Sequence, residues 1–294
     1  MREEWPTFVV LAACYALWAA GTSVIYLWSA PVAVIVTGIA VAQFSSLQHE
    51  VLHGHPFRWR WLNEALVFPA LPLFIPYGRF RDLHLAHHKD ANLTDPYDDP
   101  ETNYLDPEVW NRLGPAVRGM LKINNTMLGR MLIGPVVSQA YFMRSDWRAI
   151  MAGDRLVLAG WLWHLPAVAL VLIWLEQVGQ MPIWAYLIAA YLASSLLKIR
   201  TFLEHQAHVR VRGRTVIIEE KGPLSLLFLN NNLHVVHHMH PQVPWYDLPE
   251  EYRAHRERYL SVNENYVFKS YAEIFRKFFL KTKDPVPHPL WPMD

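Results

Sequence analysis

Eight histidines stand at helical spacing in three short runs. His49 and His53 form H-x-x-x-H; His84, His87 and His88 form H-x-x-H-H; His234, His237 and His238 repeat that pattern within residues 230–241. Residues three and four apart share one helix face, because 3.6 residues complete a turn. Each run therefore aims two or three imidazoles the same way. Imidazole ligates Fe, Cu, Zn and Ni, so the ligand type alone does not name a metal. The number says more. Eight or nine nitrogens exceed what a four-coordinate zinc uses and suit two metals with four or five nitrogens each. His205 and His208 form a further pair, whereas His164, His255 and His288 stand alone and read as solvated polar residues.

One competing motif overlaps the first run. His49-Glu50-Val51-Leu52-His53 is H-E-x-x-H, the zinc metalloprotease signature, in which Glu50 would be the general base. That alternative leaves both H-x-x-H-H runs unemployed. In the dimetal reading Glu50 is a carboxylate partner of a ligating ring, or is solvated.

The elements that must position these side chains follow from charge placement. Residues 5–48 are 44 positions without Asp, Glu, Lys, Arg or His, and residues 156–197 are 42 with Glu176 as the only acid and no Lys or Arg. A bilayer core takes about 20 apolar residues per helix, so each run holds two spans. Breaks at residues 28–31 and 176–182 predict spans near 6–28, 32–50, 156–175 and 182–202. The expected fold is an all-α integral membrane protein: four transmembrane helices in two hairpins, with a cytoplasmic helical cap holding a histidine-rich dimetal site. Trp28, Trp174 and Trp184 fall at the hairpin tips, where amphipathic aromatics favour the interface. If the tips face one side, all 27 Lys and Arg lie on the other, which puts both termini and the segments 51–155 and 203–294 in the cytoplasm.

Met1, Arg2, Glu3 and Glu4 make no basic leader, and the apolar run that follows is too long for a cleaved signal. Residues 65–77 are apolar but too short to span and carry three prolines, so they lie at the interface or re-enter. The Pro-rich residues 284–294 read as a loosely ordered tail. With no linker to divide it, the chain reads as one domain over 1–294. A net charge of +1 excludes nucleic-acid binding by bulk electrostatics, and the single Cys14 excludes a disulfide framework or a Cys-based metal site.

The runs, their order and their spacing resemble the membrane-bound fatty acid desaturase superfamily. The resemblance covers most of the chain from His49 to about Leu248. It implies a di-iron centre ligated by three histidine boxes plus one extra histidine, with no catalytic side chain beyond the metal centre. Carried over, the ligands are His49 and His53; His84, His87 and His88; His234, His237 and His238; and His205, with His208 as a near alternative. Partners of the ligating rings would be drawn from Glu50, Asp82, Glu204, His208, Asn231 and Asn232, the last also able to hold a metal-bound water. The activity implied is O2-dependent desaturation of an alkyl chain, fatty acyl or lipid. The boxes do not distinguish it from hydroxylation, ketolation or desaturation of an amino-acid-derived chain.

Because neither His55-Pro56 nor His240-Pro241 is followed by two glycines, no fused cytochrome b5 is expected. Electrons would come from a ferredoxin, rubredoxin or cytochrome b5 with its reductase, at a bacterial inner membrane. Arg79 and Arg81 are candidates for an anionic head group or for lipid-facing anchors. The acidic residues 92–104 read chiefly as turns; the other option is that Asp95, Asp98 or Asp99 meets a redox partner or a polar substrate group. Two rival classes are a bis-histidine haem protein, for which the spans offer only His164, and a metal transporter, which needs ionisable residues at membrane depth.

Overall fold

The computed structural model describes residues 4–90 and 92–292. Met1, Arg2 and Glu3 of the leader reading, and Met293 and Asp294 of the expected tail, lie outside the described residues. The described residues are mainly helical, and among them four helices are long and apolar enough to cross a membrane: Trp5–Trp28, Ala30–Leu52, Arg155–Gln177 and Ile183–Thr201. Their ends have local causes. Ser29 is extended (φ −158°, ψ 107°), and the second span restarts at Ala30 with a proline in its first turn, where a missing N–H costs nothing. Asp154 caps the third span, its carboxylate accepting from the N–H of Leu156 at 2.9 Å and of Val157 at 3.1 Å.

The chain divides into two compact units, one of Met1–Asp82 with Pro135–Leu197, the other of Leu83–Gly134 with Lys198–Asp294. In the first, small residues let apolar helices approach closely. A Cβ on Gly38 would come within 2.9 Å of the Leu192 side chain and 3.1 Å of the Ala189 carbonyl. Ala40, Val41, Ala42, Phe44 and Leu47 fill the inner face of the second span, whereas Leu156, Leu162, Trp163, Leu165 and Ile173 of the third are exposed. An apolar outer face of that kind suits lipid as solvent.

Residues 65–77 pack against the third and fourth spans. The Ala70 N–H donates to the carbonyl of Ala167, in the middle of the third span, at 3.1 Å. The Leu71 carbonyl accepts from the Tyr186 hydroxyl at 2.9 Å, and the Leu73 carbonyl accepts from His164 Nε2 at 2.7 Å. Irregular backbone is tolerated beside apolar helices only where protein satisfies it, as here. His164 is therefore buried and bonded, not solvated. Arg79 is likewise committed. It forms a two-pronged pair with buried Asp146, both contacts at 2.9 Å, and Trp161 Nε1 donates to the same carboxylate. Arg81 pairs with Glu64 and Asp82. Both arginines are thus paired with carboxylates of the chain itself.

The second unit is built of short helices around a two-residue parallel pair, Ile217–Ile218 with Val267–Phe268. Ile217, Leu233, Val235, Val236, Leu248, Tyr252 and Tyr259 form its core. Because Val235 and Val236 point into that core, helical geometry turns His234, His237 and His238 to the opposite face. The described part of the Pro-rich end is docked, not loose. Val286 and His288 are buried, and Leu105 exchanges backbone hydrogen bonds with both at 3.0 and 2.8 Å. His288 therefore also departs from the solvated reading, while His255 is exposed as expected.

Candidate metal centre

The second box lies on the helix Tyr77–Lys89 and the third on His234–Met239. His205 stands in the loop after the fourth span. The nitrogens of His87, His205, His234 and His238 lie within 4.8 Å of one another. Within that group, His87 Nε2 is 2.9 Å from His205 Nε2, His205 Nε2 is 3.2 Å from His234 Nε2, and His234 Nε2 is 3.2 Å from His238 Nε2. His84, His88 and His237 form a second group with nitrogens equally close, His237 Nε2 and His88 Nε2 being 3.1 Å apart. In the other unit, His49 and His53 occupy the end of the second span with ring centroids 5.1 Å apart.

The opposite edges of these rings explain what the converging nitrogens are for. His87 Nδ1 lies 2.7 Å from the Asp99 carboxylate, His84 Nδ1 lies 2.9 Å from Glu101, and His234 Nδ1 lies 3.0 Å from Asn231 Oδ1. An ionised carboxylate only accepts, so His84 and His87 each carry an N–H on Nδ1 and turn Nε2 inward, and His234 does the same toward the Asn231 amide oxygen. Ring nitrogens facing one another at about 3 Å need a shared proton or a cation between them. The donor set, all imidazole with three of its rings oriented from behind, fits transition-metal ions.

The electrostatics agree for most of the set. Burial, reinforced by neighbouring imidazoles, holds His205, His234 and His238 well below the usual imidazole value. Burial and then His84 and His87 take His88 down to about 3. These rings are neutral and ready to ligate at pH 7. His87 differs: burial would lower it, but Glu101 and Asp99 outweigh burial and raise it to about 9. Burial would raise Glu101, yet His84 and His87 hold its carboxyl well below the carboxylate range.

The residues expected to support the rings separate clearly. Asn231 does so. Asn232 instead donates to the Ile218 carbonyl at 2.7 Å and fixes the backbone before the box. Glu204 is paired with Arg200 at 3.0 Å and lies 3.9 Å from His234 Nδ1. Glu50 is buried, 3.9 Å from His55 Nε2. Asp82 is exposed and bound to Arg81. His208 lies apart from both groups, its ring facing Glu264 at 3.5 Å and the Arg210 backbone; His205 is the one brought in.

Two residues were not singled out for this role, Asp99 and Glu101. The turn reading of their segment holds for Asp95, whose carboxylate accepts from the N–H of Tyr97 at 2.7 Å and of Asp98 at 3.0 Å. Asp99 makes turns and orients a ring at once, since its carboxylate also accepts from the N–H of Thr94 and Glu101. The available signal was acid density directly after a histidine box.

A family model described as fatty acid desaturase matches residues 26–270. Among curated proteins, the sn-1 oleoyl-lipid 12-desaturase of Anabaena variabilis is 24% identical over 259 residues, covering 80% of this chain and 69% of that protein. The histidine boxes fall inside the matched segment, and the match spans most of the sequence. The chain belongs to the fatty acid desaturase family.

Proposed function

We propose that the protein is an O2-dependent di-iron desaturase of an alkyl chain, fatty acyl or lipid. The observation that carries this reading is the pair of imidazole groups, each with one ring oriented by a carboxylate, in a chain of this family. The lipid desaturase named above supports the substrate class. His87, His205, His234 and His238 would hold one iron. His84, His88 and His237 would serve the other, and the family's first box makes His49 and His53 metal ligands as well. Two irons so held would supply the oxidising power, drawn from O2, that breaking an unactivated C–H bond requires. The chain's own residues orient the ligands: Asp99 and Glu101 fix the rings of His87 and His84, and Asn231 fixes His234.

The remaining features belong to the same proposal. The spans form two hairpins in a bacterial inner membrane, with both termini and the histidine-bearing segments cytoplasmic. A ferredoxin, rubredoxin or cytochrome b5 with its reductase delivers electrons. The chain works as one domain: each compact unit is assembled from two separate segments, and the unit boundaries fall inside the helices Tyr77–Lys89 and Ile183–Thr201.

The test is reconstitution of iron-loaded protein with a reductase and electron donor on a panel of alkyl substrates, with products read by mass spectrometry. Loss of two hydrogens is the expected result. Gain of one oxygen would reassign the reaction to hydroxylation within the same family. No oxidised product from any substrate would overturn the oxidative reading.

A further inference from the structure

His205 differs from the other imidazoles of its group. Those of the second and third boxes sit on helices, whose backbone bonds fix them, whereas His205 follows the last turn of Ile183–Thr201 in a loop. A ligand must be held to within about 0.5 Å to bind productively, so a loop ligand needs outside support. One support is local: the Gln206 N–H donates to the Arg214 carbonyl at 2.9 Å, and the Val216 N–H donates to the Glu204 carbonyl at 3.1 Å. The other comes from the C-terminal segment. Lys283 Nζ donates to the carbonyl of His205 itself at 2.7 Å, from a side chain only 3% exposed. The Tyr104 hydroxyl donates to the Asp284 carboxylate and accepts from the Ala207 N–H at 2.8 Å.

The same segment continues onto the acidic loop. His288 Nε2 lies 3.2 Å from Thr94 Oγ1, and the Trp291 ring lies 5.6 Å from that of Tyr97. Thr94 donates its N–H to Asp99 at 2.8 Å. Lys283, Asp284, His288 and Trp291 lie beyond the stretch 26–270 that the family model matches.

We propose that residues 283–291 are a positioning strap, with Lys283 its principal contact, that seats His205 for metal binding. The proposal rests on the reading of these histidines as metal ligands. Without the strap, the group of His87, His205, His234 and His238 loses its metal, while the group of His84, His88 and His237 keeps its own.

The experiment measures metals per chain and the visible spectrum of the full-length protein titrated with Co2+. Lys283→Met is expected to weaken one of two metals by about 10- to 100-fold and leave the other unchanged, the scale seen when a ligand's supporting partner is lost. Lys283→Arg, which keeps a donor, restores binding. Lys283→Met added to His205→Ala weakens binding no further, because the strap acts through His205; a merely destabilising change would add. If Lys283→Met fails to fold, Tyr104→Phe carries the same test with its ring packing retained.

Wild-type affinity at both sites in the Lys283 or Tyr104 variant, or parallel loss of both metals, overturns the strap. If His205→Ala loses one metal and Lys283→Met loses none, the strap alone falls. If His205→Ala keeps both, the ligand assignment falls and takes the strap with it.

Discussion

The second and third boxes both read H-x-x-H-H, yet the structure supports them with different chemistry. The second is backed by charge: Asp99 on His87 and Glu101 on His84. The third is backed by a neutral amide, Asn231 on His234. The consequence is visible in the rings. His87 is raised to about 9, whereas His234 is driven well below the ordinary imidazole range by burial and by His205. Identical ligand spacing therefore does not mean identical ligand electronics. The two carboxylates within hydrogen-bond distance of these rings, Asp99 and Glu101, both serve the second box.

Removing a ligand from either box should erase that asymmetry. His87→Ala and His234→Ala are both expected to abolish turnover, a loss on the order of 100-fold or more, and the same holds for His84, His88, His237 and His238. Exposed His255→Ala should behave as wild type in the same assay. An active His237→Ala enzyme would count against the assignment.

Changing the supports should separate the boxes. Asp99→Asn keeps an acceptor for His87 but removes the charge, and is expected to weaken metal binding by about 10- to 100-fold. Asn231→Ala should sit at the lower end of that range, because the lost partner is neutral. Equal effects of the two changes, measured by competition with a chelator, would show that charge is not what distinguishes the boxes.

The pH dependence is a third handle. In the metal-free protein His87 carries a proton below about 9, and a metal must displace it. Apparent affinity should therefore rise with pH up to about 9 and level off above. In Asp99→Asn the levelling should begin at lower pH. An affinity that is flat between pH 6.5 and 9 would contradict the charged environment assigned to His87.

The smallest expected effect is that of His288→Ala. It leaves every ligand in place and removes one contact to Thr94, next to the loop bearing Asp99. A decrease of a few-fold in metal affinity is expected, about the lower limit for such outer contacts. A loss as large as that of Asp99→Asn would mean that His288 does more than brace the loop.

The four spans were legible in the sequence because an apolar run in lipid has no cheaper conformation than helix, and their breaks fell at Ser29 and before Ile183. The histidine boxes were legible because spacing at i, i+3 and i+4 survives any packing. Asp99 and Glu101 were not, since a carboxylate in a turn-rich segment has the same local signature whether it caps a turn or holds a ring twelve residues back. His288 and the docked end were missed for a related reason: a Pro-rich terminus looks unstructured until Leu105 supplies its partners. Arg79 could not be paired with Asp146 from sequence, because the two are 67 residues apart.

The claim on which everything else depends is that these histidines hold two metals. Metal analysis of the protein purified from iron-supplemented cells, with per-chain concentration from quantitative amino-acid analysis, tests it most directly. The account predicts two non-haem irons per chain, or two zinc or other divalent ions in their place. One metal or none, or an intense Soret band from haem, would contradict it.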